Sequence, residues 1–341
     1  MTGAAGLIGG ELAARLTANG HRVTALVHRN REIRANDGSL VAVADGLAGD
    51  VSRERFGWDE GAHARVAAAH DLVIHCAASV RFDLSDEEYA AVNVAGTRHA
   101  IDLARAGGAG LLHVSTAYVC GLLDGRALED EVPAGTLHAN GYERSKAAGE
   151  RAVRQSGLDW VIARPSVVVG DSRTGAIRSF DAIYGAFRLI AEGRVRRLPA
   201  TPNASLDLVP IDHVAAGLAH LAAHMERAAG TTVHLTADLA MPLPGFVDAI
   251  GRWPAFATPE LVPASEFDEA ELPAAERRMW RRVAGVYATY FQRNPRFVTA
   301  QLAALGGPAC APTDAAFLHR LMGWAVEAGF LPGEDAQRTS G

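Results

Sequence analysis

Lysine is almost absent from this 341-residue chain: Lys146 is the single one among 33 Lys+Arg, and every other basic residue is arginine. Arginine serves wherever a positive charge alone suffices, so Lys146 marks a place that needs a compact ammonium with rotatable donors. Cysteine is scarce as well. Cys76, Cys120 and Cys310 are too few and too scattered for a disulfide framework or a zinc site, which points to a reducing, cytoplasmic setting and to no metal. No apolar run approaches the roughly 18 residues a bilayer span requires, and no signal peptide is visible. Net positive charge is also lacking. At a formal charge of -6 the chain offers no electrostatic footprint for nucleic acid, and its one tight basic cluster, Arg194, Arg196 and Arg197, fits a solvated helix end at least as well as a phosphate contact.

What is present sits around Lys146. It follows Tyr142 by four residues in Tyr142-Glu143-Arg144-Ser145-Lys146, a spacing that puts phenol and ammonium on one helix face. With six tyrosines in 341 residues, a lone lysine falls there by chance about 2% of the time. An ammonium beside a phenol favours the phenolate and makes the tyrosine a usable proton donor or acceptor. The chain opens on Thr2-Gly3-Ala4-Ala5-Gly6-Leu7-Ile8-Gly9, followed by an apolar run from Leu12 to Ala18. This pattern predicts a phosphate-binding turn entering a helix, whose N-terminus favours a pyrophosphate. Three glycines alone are weak evidence, but the alternating segment His21 to His28 supplies the strand that a βαβ unit needs.

Short apolar runs at Leu40 to Ala44, Asp71 to Cys76, Leu111 to Ser115 and Trp160 to Ala163 alternate with helical stretches such as Ser85 to Ala106 and Tyr142 to Gln155. The alternation predicts an α/β fold, a doubly wound parallel sheet with ligands at the carboxyl ends of its strands. After about Gly230 the rhythm changes. Prolines at 242, 244, 254, 259, 263 and 273 break the chain, and later helices are expected at Ala274 to Phe291 and Thr313 to Ala328. The expected organisation is a nucleotide-binding domain over 1–230, with part of the substrate site from about 166–206. A smaller, mostly helical substrate-binding cap follows over 231–330, and then a loose tail over 331–341.

The motifs, in order, resemble those of the extended short-chain dehydrogenase/reductase family. After the glycines come Gly49-Asp50-Val51, Ile74-His75-Cys76-Ala77-Ala78, Asn93-Val94-Ala95-Gly96-Thr97, Val114-Ser115-Thr116, Tyr142 with Lys146, and Arg164-Pro165-Ser166. The resemblance covers Thr2 to about Val214. Four strings are similar to the fatty acyl-CoA and thioester reductase branch: Cys76 to Phe82, His113 to Tyr118, Val169 to Gly175, and Leu206 to Asp212. The family's glycines follow an apolar strand of about five or six residues, yet here only Met1 precedes Thr2. That first, central strand is expected to be missing, Met1-Thr2 being too short to pair with two neighbours, and codons upstream are expected to encode it.

The resemblance assigns Thr116 to bond the substrate oxygen, Tyr142 to exchange the proton, and Lys146 to hold the nicotinamide ribose and tune Tyr142. Ser115 is the alternative hydroxyl; Thr116 is preferred because Gly121 lies five residues on, an interval the family keeps. Asn93 either completes a proton relay or simply bonds backbone. The implied cofactor-binding positions are Gly3, Gly6, Leu7, Ile8, Gly9, His28, Arg29, Asp50, Val51, Ala77, Ala78, Lys146, Pro165 and Val167. The position that usually carries an acidic residue for the ribose 2′-OH is Val27, followed by His28 and Arg29, which suits the 2′-phosphate of NADP(H). His75 and His113 read as buried structural residues. Three functions are compatible: an NADPH-dependent reductase of an acyl thioester, either CoA- or carrier-protein-bound; an oxidoreductase or epimerase of a free ketone, hydroxyl compound or nucleotide sugar; or a non-catalytic NADPH-binding sensor. A homodimer is compatible with each.

Overall fold

The computed structural model describes residues 1–333 except 182 and 282–284. Six parallel strands make the main sheet: β1 (Thr24–Val27), β2 (Asp45–Ala48), β3 (Leu72–His75), β4 (Gly110–Val114), β5 (Trp160–Pro165) and β6 (Thr231–Leu235). The pairings run β2 with β1, then β3 with β4, β4 with β5 and β5 with β6. Helix α1 (Leu7–Ala18) and, much later, α6 (Ile211–Ala223) cover one face; α2 (Glu60–Ala68), α3 (Gly96–Gly107) and α4 (Gly141–Arg154) cover the other. Burial on both faces explains the apolar strands: Leu111, Leu112, Val161 and Ile162 are fully enclosed.

The gap between β1 and β3 is where the sequence predicted a missing strand. Met1-Thr2 does pair with both neighbours, contrary to that expectation. Leu26 N donates to Met1 O at 2.8 Å, Thr2 N to Ile74 O at 2.9 Å, and Cys76 N to Thr2 O at 3.3 Å. Met1 turns both of its polar groups to β1, its ammonium donating to Thr24 O at 2.8 Å, and Thr2 turns both of its own to β3, because successive residues of an extended chain face opposite neighbours. Beside Met1 lies a narrow cleft walled by Leu26, Leu47, Phe56, Val66 and Leu72.

Two other expectations shift. The second strand lies at Asp45–Ala48 instead of Leu40 to Ala44, because an edge strand is held by its ladder with β1 and can be largely exposed. Strand β6, placed in the cap by its number, pairs with β5 and extends the sheet beyond residue 230. A second side of the molecule is built from α5 (Ile183–Ala191), α7 (Leu243–Gly251) and α8 (Ala315–Glu327) around a second core that includes Tyr184, Phe187, Phe246, Phe291 and Leu321. Among the described residues, the stretch Ala274 to Phe291 is helical at Ala274–Met279 and Gly285–Ala288 and ends in a 3-10 turn at Thr289–Phe291. Leu331 is buried in the second core, so the loose tail does not start there; residues 334–341 lie outside the described residues.

Candidate active site

The carboxyl ends of the strands open into a cavity of about 340 Å³. One wall is the glycine turn. Gly3 adopts φ +69°, and a Cβ there would lie 2.6 Å from Ala77 N; at Gly9 a Cβ would lie 2.0 Å from Gly3 O. Only glycine lets α1 start this close to the end of β3. No side chain caps α1, and Gly6, Leu7, Ile8 and Gly9 line the cavity. These features fit the phosphates of a dinucleotide, which such a helix start binds through its N–H groups.

The catalytic candidates come from three elements. Thr116 follows β4, is 4% exposed, and accepts from Tyr118 N at 3.3 Å. Gly121, at φ +67°, turns the chain beneath it, where a Cβ would stand 2.2 Å from Leu137 O. Helix α4 begins at Gly141 because the Asn140 side chain accepts from Glu143 N at 2.9 Å, and that start carries Tyr142 to the cavity wall. Burial pushes the Tyr142 phenol up to about 12, while its hydrogen bond with Thr116 pulls the other way. The lowering by Lys146 that the spacing suggested is absent in this state. Lys146, one turn on, donates to Val114 O at 2.7 Å, and burial holds its amine down to about 8. Ser115 also lines the cavity, and its buried Oγ has no partner.

Asn93 lies in a π-helical turn over Ala90–Ala95 that leads into α3. Its Oδ1 accepts from Ser79 N at 2.8 Å, and its Nδ2 donates to Ser79 O at 3.2 Å and Ser145 Oγ at 2.9 Å. The side chain thus pins the loop after β3 to α4. Of the cofactor candidates, Gly3, Gly6, Leu7, Ile8, Gly9, Ala78, Pro165 and Val167 line the cavity, and Ala77 N donates to Thr2 Oγ1 at 3.2 Å behind it. His28, Arg29, Asp50 and Val51 stand apart from that lining, beyond β1 and β2. There His28 Nε2 lies 3.6 Å from Asp50 Oδ2, Arg29 is exposed, and Val51 O faces His99 Nδ1 at 2.8 Å. His75 and His113 are stacked at 5.5 Å on adjacent strands, fully enclosed, and burial drives the His75 imidazole down to about 3. Burial also pushes the Cys76 thiol up to about 12.

The opposite wall was not foreseen as part of the site. Phe82, Tyr118, Tyr287 and Tyr290 line it, with Phe82 packed edge-on to Tyr142 at 5.8 Å and Tyr118 to Tyr290 at 4.7 Å. Arg293 lies over both of those last two rings and forms a buried ion pair with Glu143, Nη2 to Oε1 at 2.6 Å. The residue after Tyr142 is thereby tied to the cap. Phe82 and Tyr118 end two of the strings quoted above, but nothing in their spacing links them to Tyr287 and Tyr290.

Residues 1–218 match the model of an NAD-binding family described as male sterility protein. The chain belongs to this family. The match places it among the extended short-chain dehydrogenase/reductases, in the branch that its motifs resemble, and gives it a nicotinamide cofactor. The solved terminal R domain from the myxalamid PKS-NRPS biosynthetic pathway superposes with a TM-score of 0.80 at 26% identity, over 97% of this chain and 90% of that one. Fatty acyl-CoA reductase 1 of Xenopus laevis is 32% identical over 176 residues, 42% of this chain and 34% of that protein. The dTDP-4-dehydrorhamnose reductase of Mycolicibacterium smegmatis is 32% identical over 199 residues, 56% of this chain and 53% of that protein. The chain therefore spans about half, or less, of these two curated relatives. Among the described residues no helix is long and apolar enough to cross a membrane.

Proposed function

We propose that this protein is an NADPH-dependent reductase of acyl thioesters, CoA- or carrier-protein-bound. The observation that carries the reading is the cavity itself, which sets Thr116 and Tyr142 between a glycine turn and an aromatic wall. When bound, the nicotinamide supplies the hydride. Thr116 and Tyr142 aim their hydroxyls at the carbonyl oxygen, where negative charge develops, and Tyr142 gives that oxygen its proton. Lys146 is one turn from Tyr142 and, released from Val114 O, can reach the ribose. The thioester's C–S bond then breaks, the oxygen's proton returning through Tyr142 to the departing sulfur, which leaves the aldehyde and a free thiol. Gly3, Gly6, Leu7, Ile8 and Gly9 hold the phosphates, and Arg29 with His28 favours a 2′-phosphate.

The wall discriminates among substrates. Phe82, Tyr118, Tyr290 and Ile183 suit an acyl chain, whereas the one charged residue in the described lining is Asp181. An apolar, ring-lined wall suits an acyl chain better than a hydroxyl-rich sugar, so the relationship to the dTDP-4-dehydrorhamnose reductase is read as one of fold rather than of substrate. NADPH oxidation against acyl-CoA thioesters, aldehydes, ketones and a nucleotide sugar tests the assignment. Turnover of thioesters is expected; turnover confined to the nucleotide sugar or to free ketones rejects it.

A further inference from the structure

The loop from Asp171 to Asp181 contains the string Asp171-Ser172-Arg173-Thr174-Gly175, which the catalytic arrangement does not use. It is tied to the starts and flanks of α6 and α8. Ser172 N and Oγ donate to Asp212 at 2.8 and 2.7 Å, Arg320 Nε donates to Ser172 O at 3.1 Å, and Trp324 Nε1 to Ile177 O at 3.3 Å. Gly175, at φ +73°, is pressed against α8, where a Cβ would stand 2.2 Å from Arg320 O. Its second half crosses to the nucleotide side. Asn36 Nδ2 donates to Ala176 O at 2.8 Å, Arg178 N donates to Asn36 Oδ1 at 3.1 Å, and Asn36 N donates to Glu11 of α1 at 3.0 Å. The loop is a strap joining the two sides.

Arg178 lies where the strap meets the glycine turn. Its Nη2 donates to Gly6 O at 2.9 Å and to Ala5 O at 3.4 Å, the carbonyls immediately before the uncapped start of α1. Its buried Nε has no partner. Burial and the nearby Arg34 both disfavour this guanidinium's charge, and it stays charged all the same. A phosphate beside the turn offers what those carbonyls do not, a full negative charge in bidentate geometry. Ile177, Ser179 and Asp181, on either side of Arg178, line the catalytic cavity.

We propose that Arg178, carried by the Asp171 to Asp181 strap, is a binding residue for the pyrophosphate of the dinucleotide. The inference rests on the dinucleotide reading of the site and is independent of the thioester assignment. The pyrophosphate is favoured over the 2′-phosphate because Arg178 is anchored at the start of α1, whereas Arg29 stands at the end of β1.

Fluorescence titration of NADPH and of NADH into the wild-type protein, Arg178→Gln, Arg178→Lys and Arg173→Gln tests it without reference to turnover. Gln keeps an amide donor without the charge, and Arg173→Gln removes a charge from an exposed position of the same strap. Arg178→Gln is expected to weaken both cofactors equally, by about ten- to a hundredfold, the value of one charge-assisted bond. Arg178→Lys should recover most of that loss, and Arg173→Gln should stay within about threefold of wild type. Unchanged affinity in Arg178→Gln, a loss confined to NADPH, or an equal loss in Arg173→Gln would overturn the proposal. Failure of the wild-type protein to bind either cofactor would overturn it together with the dinucleotide reading.

Discussion

The two walls of the cavity are made in opposite ways. The glycine wall is one short run, Gly3 to Gly9, in which each glycine answers to a contact a few residues or one strand away. The aromatic wall is assembled from Phe82, Tyr118, Tyr287 and Tyr290, which more than 200 residues of sequence separate at the extremes. The first is fixed by close backbone contacts: a Cβ would stand 2.6 Å from Ala77 N at Gly3 and 2.0 Å from Gly3 O at Gly9. The second is packing, held by the Arg293–Glu143 ion pair and by ring contacts, and it can change its shape without disturbing the turn. A site built this way separates cofactor binding from substrate selection, and that separation can be attacked from either side.

The largest effect is expected between the walls. Tyr142→Phe should lower turnover by about 10²–10⁴-fold, the usual worth of a positioned proton donor, and leave the Kd for NADPH within a few fold. Retention of more than a tenth of the wild-type rate would remove Tyr142 from the chemistry. On the nucleotide side, Arg29→Ala should weaken NADPH by roughly ten- to a hundredfold and leave NADH nearly unchanged; equal affinity of the wild-type protein for both cofactors would reject the role given to Arg29. A smaller effect is expected from pH. Burial lowers the Lys146 amine to about 8, so the ammonium proposed to hold the ribose is present below that pH and lost above it. Cofactor affinity should be flat up to pH 8 and then fall, by up to about tenfold per unit. Lys146→Arg should bind more weakly and lose this dependence, and a wild-type affinity that is flat from pH 7 to 10 would count against the contact.

The contrast between the walls also explains what could be seen in the sequence. The parallel sheet, α1 and α4 follow from periodicity and from the glycines, and Tyr142 with Lys146 is visible because both lie on one helix, four residues apart. Asn93 was found, but not its partners, since its bonds to Ser79 and Ser145 depend on where two other elements arrive. The same holds for Tyr287, Tyr290 and Arg293, which reach the site only through tertiary packing. The edge strand Asp45–Ala48 escaped because its residues are mostly exposed, so no apolar pattern marks it. Met1-Thr2 was underrated because pairing was counted in strand lengths, whereas two residues already offer bonds in both directions.

The central claim is that the aromatic wall receives an acyl chain while Tyr142 and Thr116 act on its thioester carbonyl. The most direct measurement is kcat/KM for NADPH oxidation across an acyl-CoA series from acetyl to octanoyl, with wild-type protein and with Tyr290→Ala. Each methylene buried against the wall contributes about 0.8 kcal/mol, so kcat/KM should climb severalfold per carbon until the pocket is full, and Tyr290→Ala should flatten the climb. A wild-type series with no dependence on chain length, or no turnover of any thioester beside robust turnover of a free ketone, would contradict the account.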